Sequence, residues 1–158
     1  MDDDALYLRV FNAVRGTNAY EFCFQKADAR SAFRSELIIR SNKPTWICGS
    51  ATRGSDHQTG GVLVFLKIAV LGGAWPDVFL QCNNDFAAMV QTEPWKYTTS
   101  RTAAERLLDI LYDQGMVGAR GDILAAEALA QAMARHRPPP YPLAPADIVQ
   151  SVNFKVVA

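Results

Sequence analysis

Net charge is the first thing this chain lacks. Sixteen basic residues offset sixteen acidic ones over 158 positions. Proteins dedicated to nucleic acid usually carry a basic excess, because phosphate neutralisation supplies much of their affinity. Cysteine is scarce as well. Cys23, Cys48 and Cys82 are an odd number without a CxxC pair, which does not fit a disulfide framework or a structural zinc site. Each sits among apolar neighbours (YEFCFQ, TWICGS, FLQCNN), as small buried hydrophobes do in a reducing compartment. The two histidines, His57 and His136, lack metal-ligand spacing and are expected at the surface. The longest apolar run, Gly60 to Trp75, is interrupted by Lys67 and by glycines and is too short to span a bilayer. The opening MDDDALYLRV is acidic where a secretory leader would be basic. These features lead us to expect a soluble, intracellular protein with no cofactor, no bound metal and no membrane contact.

Apolar residues, by contrast, make up 49% of the chain, enough for one domain with a real core. Residues 5–15 fit a helix or a strand equally well. Segments 20–25 (YEFCFQ), 36–41 (ELIIRS) and 45–49 (TWICG) are β-rich, and Asn42-Lys43-Pro44 predicts a hairpin turn between the last two. After the polar stretch 50–59, GGVLVFLKIAVLGG (60–73) is apolar almost all round, and its length between paired glycines predicts a buried helix. VFLQC (78–82) reads as a buried strand, followed by a short helix, 86–91, capped by Asn84 or Asp85. Residues 100–113 are the clearest helix, with Thr102 and Glu105 at capping-box spacing and an apolar stripe of Leu107, Leu108, Ile110 and Leu111. A short strand is expected at 116–119. Asp122 predicts the cap of an alanine-rich helix, 123–136, that ends before three prolines. A β-like segment, 151–157, closes the chain.

This order, an antiparallel meander passing into alternating α/β units, predicts a mixed sheet flanked by helices. From about Tyr20 to His136 the chain resembles the type 1 ribonuclease H family. The likeness is carried by YEFCFQK, ELIIRSNKPTWICGSATRG, VFLQCNNDFAAMVQ and AAEALAQAMARH in that order. It implies an RNase H-like domain over 19–137, with an N-terminal extension (1–18) and a Pro-rich, strand-ended tail (138–158). Active members, the resemblance implies, hold two divalent cations in a cluster of carboxylates, which activate water and stabilise the leaving oxygen. The corresponding positions here are Gln25, Gly61, Asn83 and Glu127. Amides keep hydrogen-bonding capacity but lose the negative charge that offsets dehydration of Mg²⁺, and glycine supplies no ligand. One glutamate does not build a two-metal site. The implied domain is therefore a pseudo-nuclease, not an enzyme.

Other constellations are weaker. Ser55, Asp56 and His57 are adjacent, whereas a catalytic triad is assembled in space. The glycine pairs match neither GxGxxG nor a P-loop. Lys26, Arg30, Arg34, Arg40 and Lys43 form a locally basic stretch opposed by Asp28 and Glu36; a mixed solvated face is the favoured reading, and a phosphate-binding surface with Trp95 and Lys96 the alternative. Trp75, Trp95 and Tyr97 could make a base-stacking platform, although core or interface packing is the commoner use of such rings. PPPY (138–141) has the form of a WW-domain ligand, with simple stiffening of the chain the favoured reading. The function expected is a structural or protein-interaction module in a larger assembly. The alternatives are a module that holds a duplex or RNA–DNA hybrid without cutting it, and a residual metal-dependent nuclease with a rearranged site.

Overall fold

The computed structural model describes residues 2–12, 18–27, 30–52, 62–136 and 148–158. Six strands form one mixed sheet: β1 (Ala5–Asn12), β2 (Asn18–Gln25), β3 (Ser31–Arg40), β4 (Lys43–Thr52), β5 (Val62–Leu71) and β6 (Ile148–Val157). Their spatial order is β4-β3-β2-β1-β5-β6. Every neighbouring pair is antiparallel except β5 and β6, which are parallel. Helices α1 (Trp75–Thr92), α2 (Ser100–Asp113) and α3 (Asp122–His136) intervene between β5 and β6, with a short 3₁₀ turn at Pro94–Lys96.

Period-two alternation sorts the side chains of the sheet. Leu6, Leu8 and Val10 of β1, Tyr20, Phe22 and Phe24 of β2, Leu37 of β3 and Trp46 of β4 point to the helix side. There they meet Phe79, Phe86, Val90, Leu107, Leu108, Leu111, Ala126 and Ala130. Ala5, Tyr7, Cys23, Ala32 and Phe65 form a second, smaller cluster on the other side. β1 is buried from Ala5 through Val10, as befits an inner strand covered on both faces. Residues 5–12, expected as part of an extension, thus supply the middle of the sheet, and the expected C-terminal tail supplies β6.

The mixed α/β sheet expected from sequence is observed. Two segments fold otherwise than expected, and the second, 78–82, is one that carries the family resemblance. Residues 62–71, expected as a helix, are strand β5. A strand flanked by β1 and β6 and buried on both sides needs no polar stripe, so its periodicity vanishes, and its β-branched content (Val62, Val64, Ile68, Val70) suits the pleat. Residues 78–82, expected as a strand, lie in α1. Pro76 stands in its first turn, where a missing N–H costs nothing, and Phe79, Asn83, Phe86 and Val90 form a buried stripe at helical spacing. Residues 116–118 form a bend and 119 is irregular, not strand. Gly73, at φ +56°, turns the chain from β5 into α1.

Helix α2 spans the expected 100–113, but its cap lies earlier than the Thr102–Glu105 spacing suggested. Thr99 accepts from the Thr102 amide at 3.1 Å, and Glu105 pairs instead with Arg101. The β3–β4 hairpin is also as expected, with its turn moved to Ser41 and Asn42, both at positive φ (49° and 60°). That is the two-residue geometry matching strand twist. Of the three cysteines expected to be buried, Cys23 is, Cys82 is half-buried, and Cys48, on the edge strand β4, is exposed.

Candidate functional site

A concave surface lies where the β3–β4 turn meets the end of α1 and the 3₁₀ turn. A hollow of about 450 Å³ is lined by Lys43, Pro44, Thr45 and Trp46 on one wall and by Asn84, Ala87, Ala88, Gln91 and Pro94 on the other. A second, of about 360 Å³, adjoins it across Pro44 and Pro94 and is bordered by Ile39, Asn42, Trp95, Tyr97 and Thr98. The room exists because α1 presents alanines at 87 and 88 towards the strand. Trp95 is 68% exposed and Ile39 45% exposed beside it. An exposed tryptophan on a concave, apolar rim is unusual for a surface with no ligand.

Buried chemistry fixes the floor. Trp46 donates its Nε1–H to Asn83 Oδ1 at 3.2 Å, and Asn83 donates to the Phe79 carbonyl at 3.0 Å. Trp46 also packs edge-on against Phe86, at 4.9 Å between centroids, and Phe86 packs edge-on against Tyr97 at 5.3 Å. Asn83, the family position that ends a strand in the resemblance, is therefore a bracket inside a helix.

The other expected positions are dispersed. Gln25 is buried at the end of β2 on the side of the sheet away from the helices. Gly61 lies outside the described residues. Glu127, on α3, accepts from the Tyr20 hydroxyl at 2.7 Å and is paired with Arg101. The Arg101 guanidinium holds the Glu127 carboxyl below its ordinary range, while burial and the Glu127 carboxylate push the Tyr20 phenol up. The structure does not bring Gln25, Asn83 and Glu127 together. Among the described residues no group of three or more His, Cys, Asp or Glu is placed to hold a metal ion, and no helix is long and apolar enough to cross a membrane.

The basic stretch divides. Lys26 and Arg30 sit at the β2–β3 end and are exposed. Arg34 is committed to Glu21 through two bonds of 2.9 and 2.8 Å. Arg40 and Lys43 lie at the opposite end of β3, roughly 30 Å from Arg30 at strand rise, and are cross-strand partners. Lys96 is nearby on the 3₁₀ turn but is paired with Glu93 at 2.9 Å. Lys43 and Trp95 thus border the groove, with Lys96 next to Trp95 on the 3₁₀ turn, whereas Arg40 lines a separate hollow with Ile38, Thr45 and Ile47, and Lys26, Arg30 and Arg34 lie elsewhere. Trp75 is also elsewhere: it starts α1 and donates to the Ala158 carbonyl at 3.2 Å. Tyr97 is buried. Ser55, Asp56, His57 and the PPPY segment lie outside the described residues, as does the side chain of His136.

A smaller hollow, about 200 Å³, opens on the far side of the sheet between Glu21, Arg34, Glu36, Ile47, Gly49 and Ser50. Glu21 is 1% exposed and lies 3.4 Å from the buried guanidinium of Arg9. Arg9 is stacked over Phe11 and Phe65, 4.6 and 5.5 Å from the ring centroids. Glu36, directly opposite Glu21, has its carboxyl raised by burial and then by the Glu21 charge.

No family model, curated protein or solved structure matches the chain.

The sequence signalled Trp95 and Lys43 only as residue types. Pro44, Pro94, Ala87 and Ala88 were missed as site residues, because small and cyclic side chains carry no chemical signature until two elements face each other.

Proposed function

We propose that this domain is a non-catalytic protein-interaction module whose docking surface is the groove between the β3–β4 turn and the α1–3₁₀ corner. One observation carries the reading: Trp95 stands 68% exposed at the rim of one of two adjoining hollows that share Pro44 and Pro94. Interfaces concentrate their energy in aromatic anchors around such depressions. Glu127 and the buried Glu21 serve internal partners: Glu127 holds Arg101 and Tyr20, and Glu21 holds Arg34 and Arg9.

Photo-crosslinking from position 95 in the native cell tests the docking surface, with position 124, 60% exposed on α3, as the control. A discrete protein adduct formed from 95 and not from 124 is expected. Identical adducts from both positions, or none, would overturn the reading. The non-catalytic part is tested with a labelled RNA–DNA hybrid in Mg²⁺ and in EDTA; Mg²⁺-dependent cleavage would refute it.

A second reading has one observation of its own: Lys43 lines the hollow that adjoins Trp95, and Lys96 follows Trp95 on the 3₁₀ turn. That arrangement suits a single strand of nucleic acid, with a base stacked on the indole and phosphates on the cations. It predicts metal-independent binding that weakens steeply with salt.

A further inference from the structure

We propose that β6 is a self-association edge: two copies of the chain join along it, antiparallel, about a two-fold axis at Val152, so that one sheet runs through both.

β6 ends the sheet, so its outer backbone edge has no strand beside it among the described residues. Ile148 and Val156 stand opposite Phe65 and Val70, on the face away from the helices. Val152 and Phe154 share that face by alternation, and the Lys67 ammonium lies 5.2 Å from the centroid of the Phe154 ring. Ile148 is 39%, Val152 95% and Val156 66% exposed. An apolar row at period two on an unpaired edge is the arrangement that invites another strand.

The usual defences of an edge are weak here. β6 contains no proline and no acidic residue, and its one charged residue, Lys155, has its ammonium turned to Gly115 on the turn after α2. A bulge can blunt an edge, and β6 has one: residues 151–154 stand opposite Ile68 alone. It is pinned from the helix side, where Ser151 donates to Asp122 and the Asn153 amide donates to Ser151 Oγ at 3.0 Å. What the bulge displays to solvent is a bare valine instead of a charge. The other edge of the sheet differs. β4 begins with Lys43 and Pro44, a charge and a residue without an N–H, both of which discourage a further strand.

The occupant follows from the order of residues along β6. Antiparallel pairing centred on Val152 sets Ile148 against Val156 of the second copy, Gln150 against Phe154, and Val152 against itself. Lys155 meets Val149, so no like charges oppose one another. The row is its own complement, the condition for a two-fold interface. Zero net charge leaves no net repulsion between copies. Because β4 is guarded, the assembly closes at two. One strand edge per copy is small beside a standard interface, so the dimer forms as concentration rises.

Sedimentation velocity of the full chain over a wide concentration range tests the proposal, with Val152→Lys and, as the variant of the docking groove, Trp95→Ala. Wild type is expected to pass from monomer to dimer. Val152→Lys should weaken the dimer about tenfold or more, with an unchanged thermal midpoint because the side chain stands in solvent. Trp95→Ala should leave the dimer intact. The register is read from Val152→Cys in a Cys48→Ser background: oxidation should link two chains through position 152, and Tyr112→Cys, at a site 41% exposed on α2, should not link them. A monomer at every concentration would overturn the inference and leave the edge to a strand of a different protein. A dimer that survives Val152→Lys, or does not link through 152, would overturn it by placing the interface elsewhere, and one lost in Trp95→Ala would place it at the groove. Larger assemblies suppressed by Val152→Lys would overturn the two-fold arrangement.

Discussion

The indole N–H of Trp46 on β4 is satisfied by the side-chain oxygen of Asn83 on α1, 3.2 Å away and both buried. This bond ties an edge strand to the longest helix and sets the floor of the groove. Asn83→Ala strands the buried Trp46 donor. The expected cost is about 1–3 kcal/mol of folding stability, read as a lower urea midpoint with unchanged slope. Full retention of stability would show that the bond does not matter.

Glu21 is the carboxylate beside the fully buried guanidinium of Arg9 and is also forked to Arg34. Removing one member of a buried pair leaves an uncompensated charge, so Glu21→Ala should cost about 3–5 kcal/mol. Arg34→Ala, at the half-exposed end of the same network, should cost clearly less. Thermal melts of the two variants give the order; equal losses would contradict it.

Asp122 is wholly buried, accepts from the Ser151 hydroxyl, and has its carboxyl raised above 3.8 chiefly by burial. A raised folded value means that the native state takes up the proton before the unfolded chain does. The charged form is therefore a penalty above the folded value, and it is relieved as pH falls towards 3.8. Relative to Asp122→Asn, wild type should gain stability over that interval. Denaturant titrations of both proteins across a pH series check the sign, and a pH-independent difference would refute it.

Glu127 should show the opposite slope. Its carboxyl is lowered from 4.5, first by the hydrogen bond from Arg101, so it stabilises the fold above 4.5 and loses that contribution as pH falls through the lowered folded value. Against Glu127→Gln in the same titration, wild type should lose stability on acidification. A gain would exclude the ion pair as the cause.

Trp95 projects from the 3₁₀ turn into solvent, so Trp95→Ala should shift stability by no more than about 0.5 kcal/mol while abolishing crosslinks formed from position 39, which borders the same hollow. A large loss of stability would mean that the ring is a packing element and not a contact for a partner.

Local signals were enough to determine part of this protein. The helix at 100–113 was legible because one turn of polar residues and a leucine stripe agree. The helix from Asp122 was legible because alanines run between an acidic start and a proline stop, and the β3–β4 hairpin because two β-rich runs flank a turn. What only the tertiary structure decided are the elements whose surroundings overrule their pattern. β5 lost its periodicity because β1, β6 and both faces bury it. α1 was masked by Asn83-Asn84-Asp85, a polar triplet that reads as a break, until Trp46, 37 positions away, takes up the Asn83 amide. The groove belongs to the same class. Lys43 and Trp95 are plain in the sequence, but only the packing of α1 against β4 leaves a hollow with Lys43 on its wall and Trp95 bordering the hollow next to it.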